Sequence, residues 1–575
     1  MNQRIAIACA CGVVVASACG GSGGSNYSGL VDVKVFPVKG ATLSSAAEDP
    51  FDPARARLLR TSVSGPYIST PVESVTDFAS HQGSIEQIPF GYSRQVTVEV
   101  CAANCDPKVA GDILARGRSV PFDVLDERSK QSVSVFVAPR NAFTTPATAA
   151  IPPQPSRPSS SNLIGATATQ LVDGRILLLG GARVKSGAAS WYRAADLETV
   201  LNQAEVYDPQ TGQFSAVGPM TRARAFHQAV VIPDGRVVIL GGYTQEAQGP
   251  VKLDATVEVF DPKTGTFALS ANQDGSPIFI PPQPDAAHGV EGGRALFQAA
   301  LLAPNSPLIV LTGGVANPSV AGAYVDVYLL DVGTVCHVGL KAARYNHAMV
   351  YVPNWHPTQT NSAGSPAFVL FGGENDTGTL DLVEAFTVNP TGSCVPGAGA
   401  PMIVVDSSDV RLPGGGRTLL AAAYVPKQQI VYVIGGFNDA AHQNPSGLVN
   451  PYRTTIGNFL LDQQGNPIEG FTLDQPRGAM TATLMEHDTV LIAGGIGANG
   501  AVLSTMELIV EDFVCDPDGQ NCRINILRVV GATPPMPQPR AGHLALFDAT
   551  SRVLFAGGFS SPYTPVQDIV FYNPD

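Results

Sequence analysis

The sequence predicts an all-β protein, a seven-bladed β-propeller that follows a small β-sandwich of immunoglobulin-like size, and three observations lead to this prediction. Seven short apolar runs each end in a Gly-Gly pair, and the second glycines of these pairs are Gly181, Gly242, Gly314, Gly373, Gly436, Gly495 and Gly558. The pairs recur every 59 to 72 residues, a period typical of solenoids and propellers. The 59 Gly and 46 Pro, with only 14% charged residues, fit many short strands joined by turns.

Each repeat contains four predicted strands. The Gly-Gly runs are too short for helices and rich in Val, Ile and Leu, so they are predicted to be buried strands. Another strand precedes each run, for example at 226–232, and a third follows, as at 204–208 and 257–261. A Pro- and Gly-containing turn, DPQTGQF or DPKTGTF, then leads into a fourth strand. Four strands repeated seven times predict a propeller over 141–575.

The last repeat is one strand short, because the chain ends at Asp575 just after its third strand. An open ring would expose two unpaired strand edges. We therefore expect the segment 141–151, which precedes the first blade, to supply the missing strand and close the ring.

The repeats resemble those of the kelch family, which carry Gly-Gly after the second strand and an aromatic residue in the fourth. Phe214 and Phe267 take the aromatic place in the first two blades, where many kelch blades have Trp. The kelch family includes copper oxidases similar to galactose oxidase, which need a Tyr-His pair and a Cys crosslinked to Tyr. The sequence contains no Tyr-His dipeptide, so we expect neither copper nor any other cofactor.

Charged residues recur at two positions of the repeat. The arginines are Arg224, Arg294, Arg344, Arg417, Arg477 and Arg540, and the third-strand acids are Glu205, Glu258, Asp326, Glu384, Glu507 and Asp568, with Asn458 in the fifth blade. A ring of ligands is one interpretation. Repeated internal ion pairs are favoured, because buried charges need partners and a binding site rarely needs seven copies.

His227, His347 and His543 share one position of the repeat, and a metal site at the axis is one interpretation. Phe297, Leu420 and Met480 hold the same position in other blades, which favours a packing role, and we expect no metal. Acidic residues at 516–521 resemble a calcium loop but lack its bidentate Glu, so a hairpin turn is favoured.

The first 18 residues are predicted to be a signal peptide, with Arg4 before an apolar stretch too short to span a bilayer. Ala16-Ser17-Ala18-Cys19 resembles a bacterial lipobox, which implies lipidation of Cys19 and a flexible Gly/Ser tether at 19–27. Cleavage by ordinary signal peptidase, leaving a free thiol, is the alternative. The prediction is an exported protein anchored by lipid at the outer membrane or cell surface.

Six cysteines remain after export and lipidation, and an oxidising compartment would pair them. Short separations predict the disulfides Cys101–Cys105 and Cys515–Cys522, and Cys336–Cys394 follows by elimination. Alternating apolar residues at 30–36, 95–100 and 132–137 predict the β-sandwich domain at 28–140.

Two long loops between second and third strands are predicted to bind a partner. Blade one offers Trp191, Tyr192 and Arg193, and blade five offers Asn438, Asp439, His442, Tyr452 and Arg453. Trp, Tyr and Arg are typical of binding hot spots, although Trp191 could equally fold back over its own blade. Trp355 is predicted in a loop on the opposite face.

These loops predict a binding protein without catalysis, whose ligand is a protein or a glycan. A carbohydrate-active propeller enzyme, similar to a sugar mutarotase or oxidase, is the alternative. The net charge of −13, with no basic cluster, argues against nucleic acid as a partner.

Overall fold

The structure is a computed structural model and describes residues 28–38, 49–109, 111–125, 131–145, 163–247, 249–271, 275, 277–280, 293–315, 322–356, 364–395, 397–462, 464, 470–515, 522–530, 533–561 and 563–574. Strands make up almost all of its regular structure. Short 3₁₀ turns lie at Phe78–Ser80, Ala194–Asp196, Glu486–Asp488 and Ala498–Gly500. Within these ranges no helix has the length and apolar character needed to cross a membrane.

The N-terminal part of the chain forms a small β-sandwich. Its strands are β1 (Ser28–Pro37), β2 (Leu58–Ser64), β3 (Val72–Asp77), β4 (Gln82–Pro89), β5 (Gly91–Cys101), β6 (Ile113–Arg118), β7 (Phe122–Val124) and β8 (Gln131–Pro139). They pair in the order β3-β2-β5-β6-β8-β1-β4, and β1 runs parallel to β8. Alternate residues of β1, such as Val31, Val33 and Val35, face a shared apolar core, as the period-two pattern predicts.

Seven antiparallel sheets follow, and each sheet is one blade of the propeller. The first three blades have four strands each. Blade one contains β10 (Thr167–Gln170), β11 (Ile176–Leu179), β14 (Ala204–Asp208) and β15 (Gln213–Ala216); blade two β16 (Gln228–Val231), β17 (Val237–Leu240), β20 (Val257–Asp261) and β21 (Thr266–Leu269); blade three β22 (Gln298–Leu301), β23 (Leu308–Thr312), β24 (Tyr324–Leu329) and β25 (Gly333–Gly339).

The later blades repeat this plan, with an extra short strand in blades four and five. Blade four contains β26 (Ala348–Trp355), β27 (Ser365–Phe371), β30 (Leu382–Val388), β31 (Ile403–Val405) and β32 (Val410–Arg411); blade five β33 (Ala421–Val425), β34 (Ile430–Ile434), β35 (Leu448–Arg453), β36 (Asn458–Phe459) and β37 (Phe471–Thr472); blade six β38 (Thr481–Leu484), β39 (Val490–Ala493), β40 (Met506–Cys515) and β41 (Cys522–Val530); blade seven β42 (Leu544–Phe547), β43 (Val553–Ala556) and β46 (Ile569–Asn573) with β9 (Ala142–Thr144).

Four two-stranded hairpins stand in the described parts of the loops between second and third strands. They are β12 (Ala182–Val184) with β13 (Leu197–Val200), β18 (Tyr243–Thr244) with β19 (Lys252–Leu253), β28 (Glu374–Asn375) with β29 (Gly378–Thr379), and β44 (Phe559–Ser560) with β45 (Thr564–Pro565). We call this side of the propeller the glycine face, since the Gly-Gly pairs lie there. The turns between first and second and between third and fourth strands form the opposite, turn face.

The second strand of each blade is almost entirely apolar because both of its sides are buried. In blade one, Ile176 and Leu178 pack against blade seven, whereas Leu177 and Leu179 pack against blade two. Every one of the seven blade interfaces has such a cluster, so the core is distributed around the ring. First strands of neighbouring blades contact one another and surround the axis. The predicted seven-bladed propeller and the preceding sandwich are confirmed.

The ring closes through β9, which completes blade seven as its fourth strand. Phe143 lies opposite Tyr572, and Asn573 donates its side-chain amide to the carbonyl oxygen of Ala142 at 3.0 Å. The expectation that 141–151 supplies the missing strand is confirmed for Ala142–Thr144.

Two of the three predicted disulfides are confirmed. Cys101–Cys105 closes a loop of the sandwich, and Cys336–Cys394 joins the fourth strand of blade three to a loop of blade four. The backbones of Cys515 and Cys522 lie directly opposite each other in the β40–β41 ladder, but their side chains lie outside the described part of the structure. Cys19 and the turn at 516–521 also lie outside the described residues.

The sandwich packs against the turn face of the propeller. Gln95 donates to the carbonyl oxygen of Ala549 at 2.7 Å, and Arg118 donates to Ser551 Oγ at 2.9 Å and pairs with Glu486. The glycine face therefore points away from the sandwich.

Candidate functional site

Six arginines, one in every blade except the first, are fully buried and clamp their own blades. They are Arg224, Arg294, Arg344, Arg417, Arg477 and Arg540. Arg344 donates to the carbonyl oxygens of Gly372 and Leu382, at 2.8 and 3.1 Å, and pairs with the buried carboxylate of Glu384. The equivalent ion pairs are Arg224–Glu258, Arg294–Asp326, Arg477–Glu507 and Arg540–Asp568. The predicted internal ion pairs are confirmed in these five blades.

Blade five departs from the sequence prediction, because the partner of Arg417 is Asn450 and not Asn458. Arg417 Nη2 donates to Asn450 Oδ1 at 2.6 Å, while Asn458 begins the fourth strand. Pro451 inside the third strand obscured its position in the sequence, since proline is uncommon within a strand. Burial beside a neutral amide lowers the pKa of Arg417 to about 10.

The three histidines at one repeat position lie between blades and do not converge on a metal. Nε2 of His227, His347 and His543 lies 2.9 to 3.0 Å from the hydroxyl of a threonine in the preceding blade. Burial lowers the pKa of His227 and of His543 to about 3. Among the described residues no three His, Cys, Asp or Glu side chains are grouped closely enough to hold a metal ion. These positions support the packing interpretation.

One residue of each blade contributes to a ring around the axis on the glycine face, which we call the axial ring. All seven have positive φ, between 50° and 68°, and they are Gly165, Phe226, Leu296, Asn346, Leu419, Ala479 and Gly542. The backbone amides of Phe226, Leu296, Leu419, Ala479 and Gly542 each donate to the carbonyl oxygen of the ring residue in the preceding blade, at 2.6 to 3.3 Å. These hydrogen bonds join the ring residues of neighbouring blades, and so they hold the opening around the axis narrow on the glycine face.

Trp191 and Tyr192, from the long loop of blade one, close what remains of this opening, and we call them the axial plug. The Trp191 ring lies 5.2 Å from that of Phe559 in blade seven and 5.8 Å from that of Phe226 in blade two. Tyr192 reaches blades four and five, which a loop of blade one can do only across the axis. Gly542 is needed here, because a Cβ would come within 2.7 Å of the indole. Trp191 is 8% exposed and Tyr192 2%, so both rings belong to the interior.

A buried carboxylate, Glu374, holds the plug in place. Its Oε1 accepts hydrogen bonds from the Tyr192 hydroxyl at 3.1 Å and from Asn346 Nδ2 at 2.8 Å. His442 Nε2 lies 3.5 Å from Oε2 and 3.4 Å from the Tyr192 hydroxyl. Burial and the neighbouring Glu374 carboxylate raise the pKa of Tyr192, so this hydroxyl stays protonated and remains a donor. Blades one, four and five are therefore joined at the axis by one polar cluster, the Glu374 cluster.

Sequence reasoning missed Glu374, although the repeat contains a signal for it. The residue directly after Gly-Gly is apolar in the other six blades, namely Ala182, Tyr243, Val315, Phe437, Ile496 and Phe559. Blade four also has the only amide side chain in the axial ring, at Asn346. The two polar substitutions occur in the same blade and bond to each other, which marks the site.

A cavity of about 380 Å³ lies along the axis beneath the plug. It is lined by the plug residue Trp191 and by first-strand side chains of blades one, two, three and seven, including Thr169, Gln228 and Gln298. Amide and hydroxyl groups in such a space can hydrogen-bond a small polar molecule or water.

The residues predicted in the long loop of blade five occupy two separate places. Asn438 is exposed and Asp439 is half-buried, with Asp439 accepting the backbone amides of Gln443 and Asn444 at 3.1 and 2.7 Å. Arg193 of blade one is exposed and directly follows Tyr192, and His442 of the Asn438–His442 loop lies 3.4 Å from the Tyr192 hydroxyl. We call Arg193, Asn438 and Asp439 the rim. His442 belongs to the Glu374 cluster beneath them.

Tyr452 and Arg453 do not lie in the loop where they were expected, because β35 begins at Leu448 and continues through Arg453. Tyr452 is buried and its hydroxyl accepts a hydrogen bond from Trp355 Nε1 at 3.0 Å. Trp355 ends the long first strand of blade four and does not lie in a loop. The pair fills the interface between blades four and five.

Comparisons with known proteins agree with this geometry at the level of the repeat. No family model matches the chain. An F-box/kelch-repeat protein of Arabidopsis thaliana is 36% identical over 78 residues, which are 13% of this chain and 19% of that protein. The match to a kelch-repeat protein agrees with the Gly-Gly repeat in the sequence and with the seven four-stranded sheets in the structure. The fold is a seven-bladed β-propeller, and part of its sequence is similar to a kelch-repeat protein.

Two solved structures are similar to part of this chain at low identity. The structure of YjhT is 13% identical, with a TM-score of 0.39, and the match covers 65% of this chain and 99% of that one. A copper complex of a fungal alcohol oxidase of the AA5 family is 16% identical, with a TM-score of 0.43, and the match covers 72% and 74% of the two chains.

Proposed function

We propose that this protein is an exported, lipid-anchored surface protein that binds a protein or glycan ligand through the loops of its glycine face. The observation that carries the proposal is the axial plug. With Trp191 and Tyr192 filling the axis, the groups that this face offers to a large ligand are those of the surrounding loops. Loops held by a rigid scaffold are common places for recognition.

The rim supplies the polar groups that such recognition needs. Arg193 carries a planar set of donors, and Asn438 offers both a donor and an acceptor next to the Asp439 carboxylate. Thr379 Oγ1 donates to the carbonyl oxygen of Asn438 at 3.2 Å, so a hairpin of blade four supports the loop of blade five. Hydrogen-bonding groups beside a closed apolar centre fit sugar hydroxyls or the polar surface of a protein.

Export and anchoring are supported by the cysteines and the leader sequence. The two described disulfides fit an oxidising compartment. The Ala-Ser-Ala-Cys19 sequence at the end of an apolar stretch provides the acylation site of the proposed anchor at the outer membrane or cell surface.

The test is a ligand screen on glycan arrays and purified surface proteins, followed by matched substitutions on the two faces. We expect the variant Arg193→Ala/Asn438→Ala/Asp439→Ala to lose binding. The variant Asp234→Ala/Arg236→Ala/Lys263→Ala, on the turn face, should bind like the unmodified protein. Binding that survives the first set of substitutions, or is abolished by the second, would contradict the proposal.

A carbohydrate-active enzyme is the second candidate, and the observation that favours it is the Glu374 cluster. A carboxylate, an imidazole and a phenol lie within 3.5 Å of one another at the axis, and such groups can transfer protons. The plug covers them, so this function requires the loop of blade one to open. Sugar turnover by the unmodified protein that is abolished by Glu374→Gln would favour the enzyme, whereas turnover unchanged by that substitution would exclude Glu374 as its source.

A further inference from the structure

One end of the N-terminal sandwich carries three strongly exposed apolar side chains, and we call it the apolar tip. They are Tyr67 at 104% exposure, Tyr92 at 69% and Leu125 at 58%. Tyr67 lies between β2 and β3, Tyr92 at the start of β5, and Leu125 directly after β7. The pairing of Gly91 with Val124 brings the latter two segments together.

A buried arginine organises this end of the sandwich. Arg94, 2% exposed, donates to the carbonyl oxygens of Pro89 at 3.1 Å, Phe90 at 2.6 Å and Pro66. Its guanidinium therefore ties the two loops that carry Tyr67 and Tyr92 to each other.

The backbone at the tip is strained in this arrangement. Tyr67 has φ of 64°, a conformation that costs an aromatic residue on the order of 1–2 kcal/mol. Gly91, at φ of 150°, allows the close approach of Arg94, since a Cβ there would lie 2.3 Å from Nη2. Strain of this kind persists only where the surroundings enforce it, so the backbone of the two loops that carry the exposed rings is held in position.

The chain that leads to Cys19 leaves the sandwich at the same end. Ser28, the first residue of β1, pairs with Pro89, and Gly29 packs directly against Val124. Only eight residues lie between Cys19 and Ser28, a reach of at most about 30 Å when fully extended. An acyl chain on Cys19 would therefore keep the apolar tip close to the lipid surface.

We propose that the apolar tip inserts into the headgroup region of the membrane that holds the anchor, and so fixes the orientation of the protein. This inference rests on the proposed lipidation of Cys19. Tyrosine suits this environment, because its ring is apolar and its hydroxyl can stay in water. Binding at the interface grows with the apolar area that is buried there, so the tip adds to the attachment that the anchor provides.

The experiment places a tryptophan at the tip of the full-length acylated protein, reconstituted in vesicles with and without brominated phospholipid. Tyr67→Trp and Tyr92→Trp are compared with Val332→Trp, a control in a propeller turn that is 61% exposed. Trp191 and Trp355 are buried and common to all variants. We expect brominated lipid to quench the two tip variants several-fold more strongly than the control.

The outcomes separate this inference from the anchor on which it rests. Mass spectrometry first establishes the acyl group on Cys19, and its absence overturns both the anchor and the inference. With the acyl group present and the protein bound to vesicles, equal quenching of the tip and control variants overturns the inference alone. Protection of the tip tryptophans by a soluble protein or glycan ligand, in place of lipid, would also overturn it.

Discussion

The ion pair between Arg344 and Glu384 is one of the most completely buried in the propeller, and it makes a direct test of the structural role of the repeated charges. Both side chains are at most 1% exposed. We expect Arg344→Met to lower the free energy of unfolding by about 3–5 kcal/mol, because it leaves a buried carboxylate without its counter-charge. Denaturant titration measures the change.

Arg411→Met is the control for this prediction. Arg411 pairs with Asp381 and Asp409 at the surface, where its side chain is 52% exposed. Its loss should cost less than about 1 kcal/mol. Similar effects of the two substitutions would mean that the buried arginines are not clamps.

The interblade histidines predict a loss of stability in mild acid. The pKa of His543 is about 3 in the folded protein, against 6.5 for an ordinary histidine. Between these two values the unfolded chain therefore binds more protons than the folded protein. The free energy of unfolding is highest above pH 6.5 and decreases as the pH falls towards 3. At pH 5 the loss amounts to about 2 kcal/mol for His543.

His543→Leu tests this linkage, since blade five carries Leu420 at the same position. Its free energy of unfolding should fall about 2 kcal/mol less between pH 7 and pH 5 than that of the unmodified protein. Parallel curves for the two proteins would show that His543 titrates normally in the folded state.

At single positions, prediction from sequence succeeded where the repeat keeps its register. The arginines, their acidic partners and the histidines occur at fixed offsets, so their structural role could be read from the pattern. Asn450 was missed because Pro451 disguises the strand that holds it. Glu374 was missed because its function depends on contacts with Tyr192 and His442, which lie far away in sequence.

Among the strands, β9 is the element on which ring closure depends. Phe143 is fully buried against Tyr572 and Phe555, and without β9 both this apolar surface and the edge of β46 would be open. We expect a fragment of residues 140–575 to be monomeric and to melt cooperatively. A fragment of residues 146–575 should melt at lower temperature and associate, as calorimetry and light scattering would reveal.

Equal melting temperatures for two monomeric fragments would contradict this account of closure. The closing strand could be predicted because one strand was missing from a counted set. The strand ends in blades four and five were predicted less accurately. There β26 extends to Trp355 and β35 runs from Leu448 to Arg453, so Trp355 and Tyr452 lie in strands and not in loops.

At the scale of the molecule, the number of blades follows from the sequence because seven apolar strands need two covered sides each. The axial plug does not follow from it. Trp191 and Tyr192 lie in a non-repeating loop, and their partners belong to blades two, four, five and seven. The docking of the sandwich on the turn face depends likewise on single contacts, such as Arg118 with Ser551, that leave no periodic signal.

The most direct test of the central claim, that the axis is closed by a plug held by Glu374, is the exposure of Trp191 to solvent. In a Trp355→Phe background, Trp191 is the only tryptophan, and acrylamide quenching reports its accessibility. We predict blue-shifted emission and weak quenching in this protein, and red-shifted emission with strong quenching after Glu374→Ala. Strong quenching of Trp191 before Glu374 is changed would contradict the account.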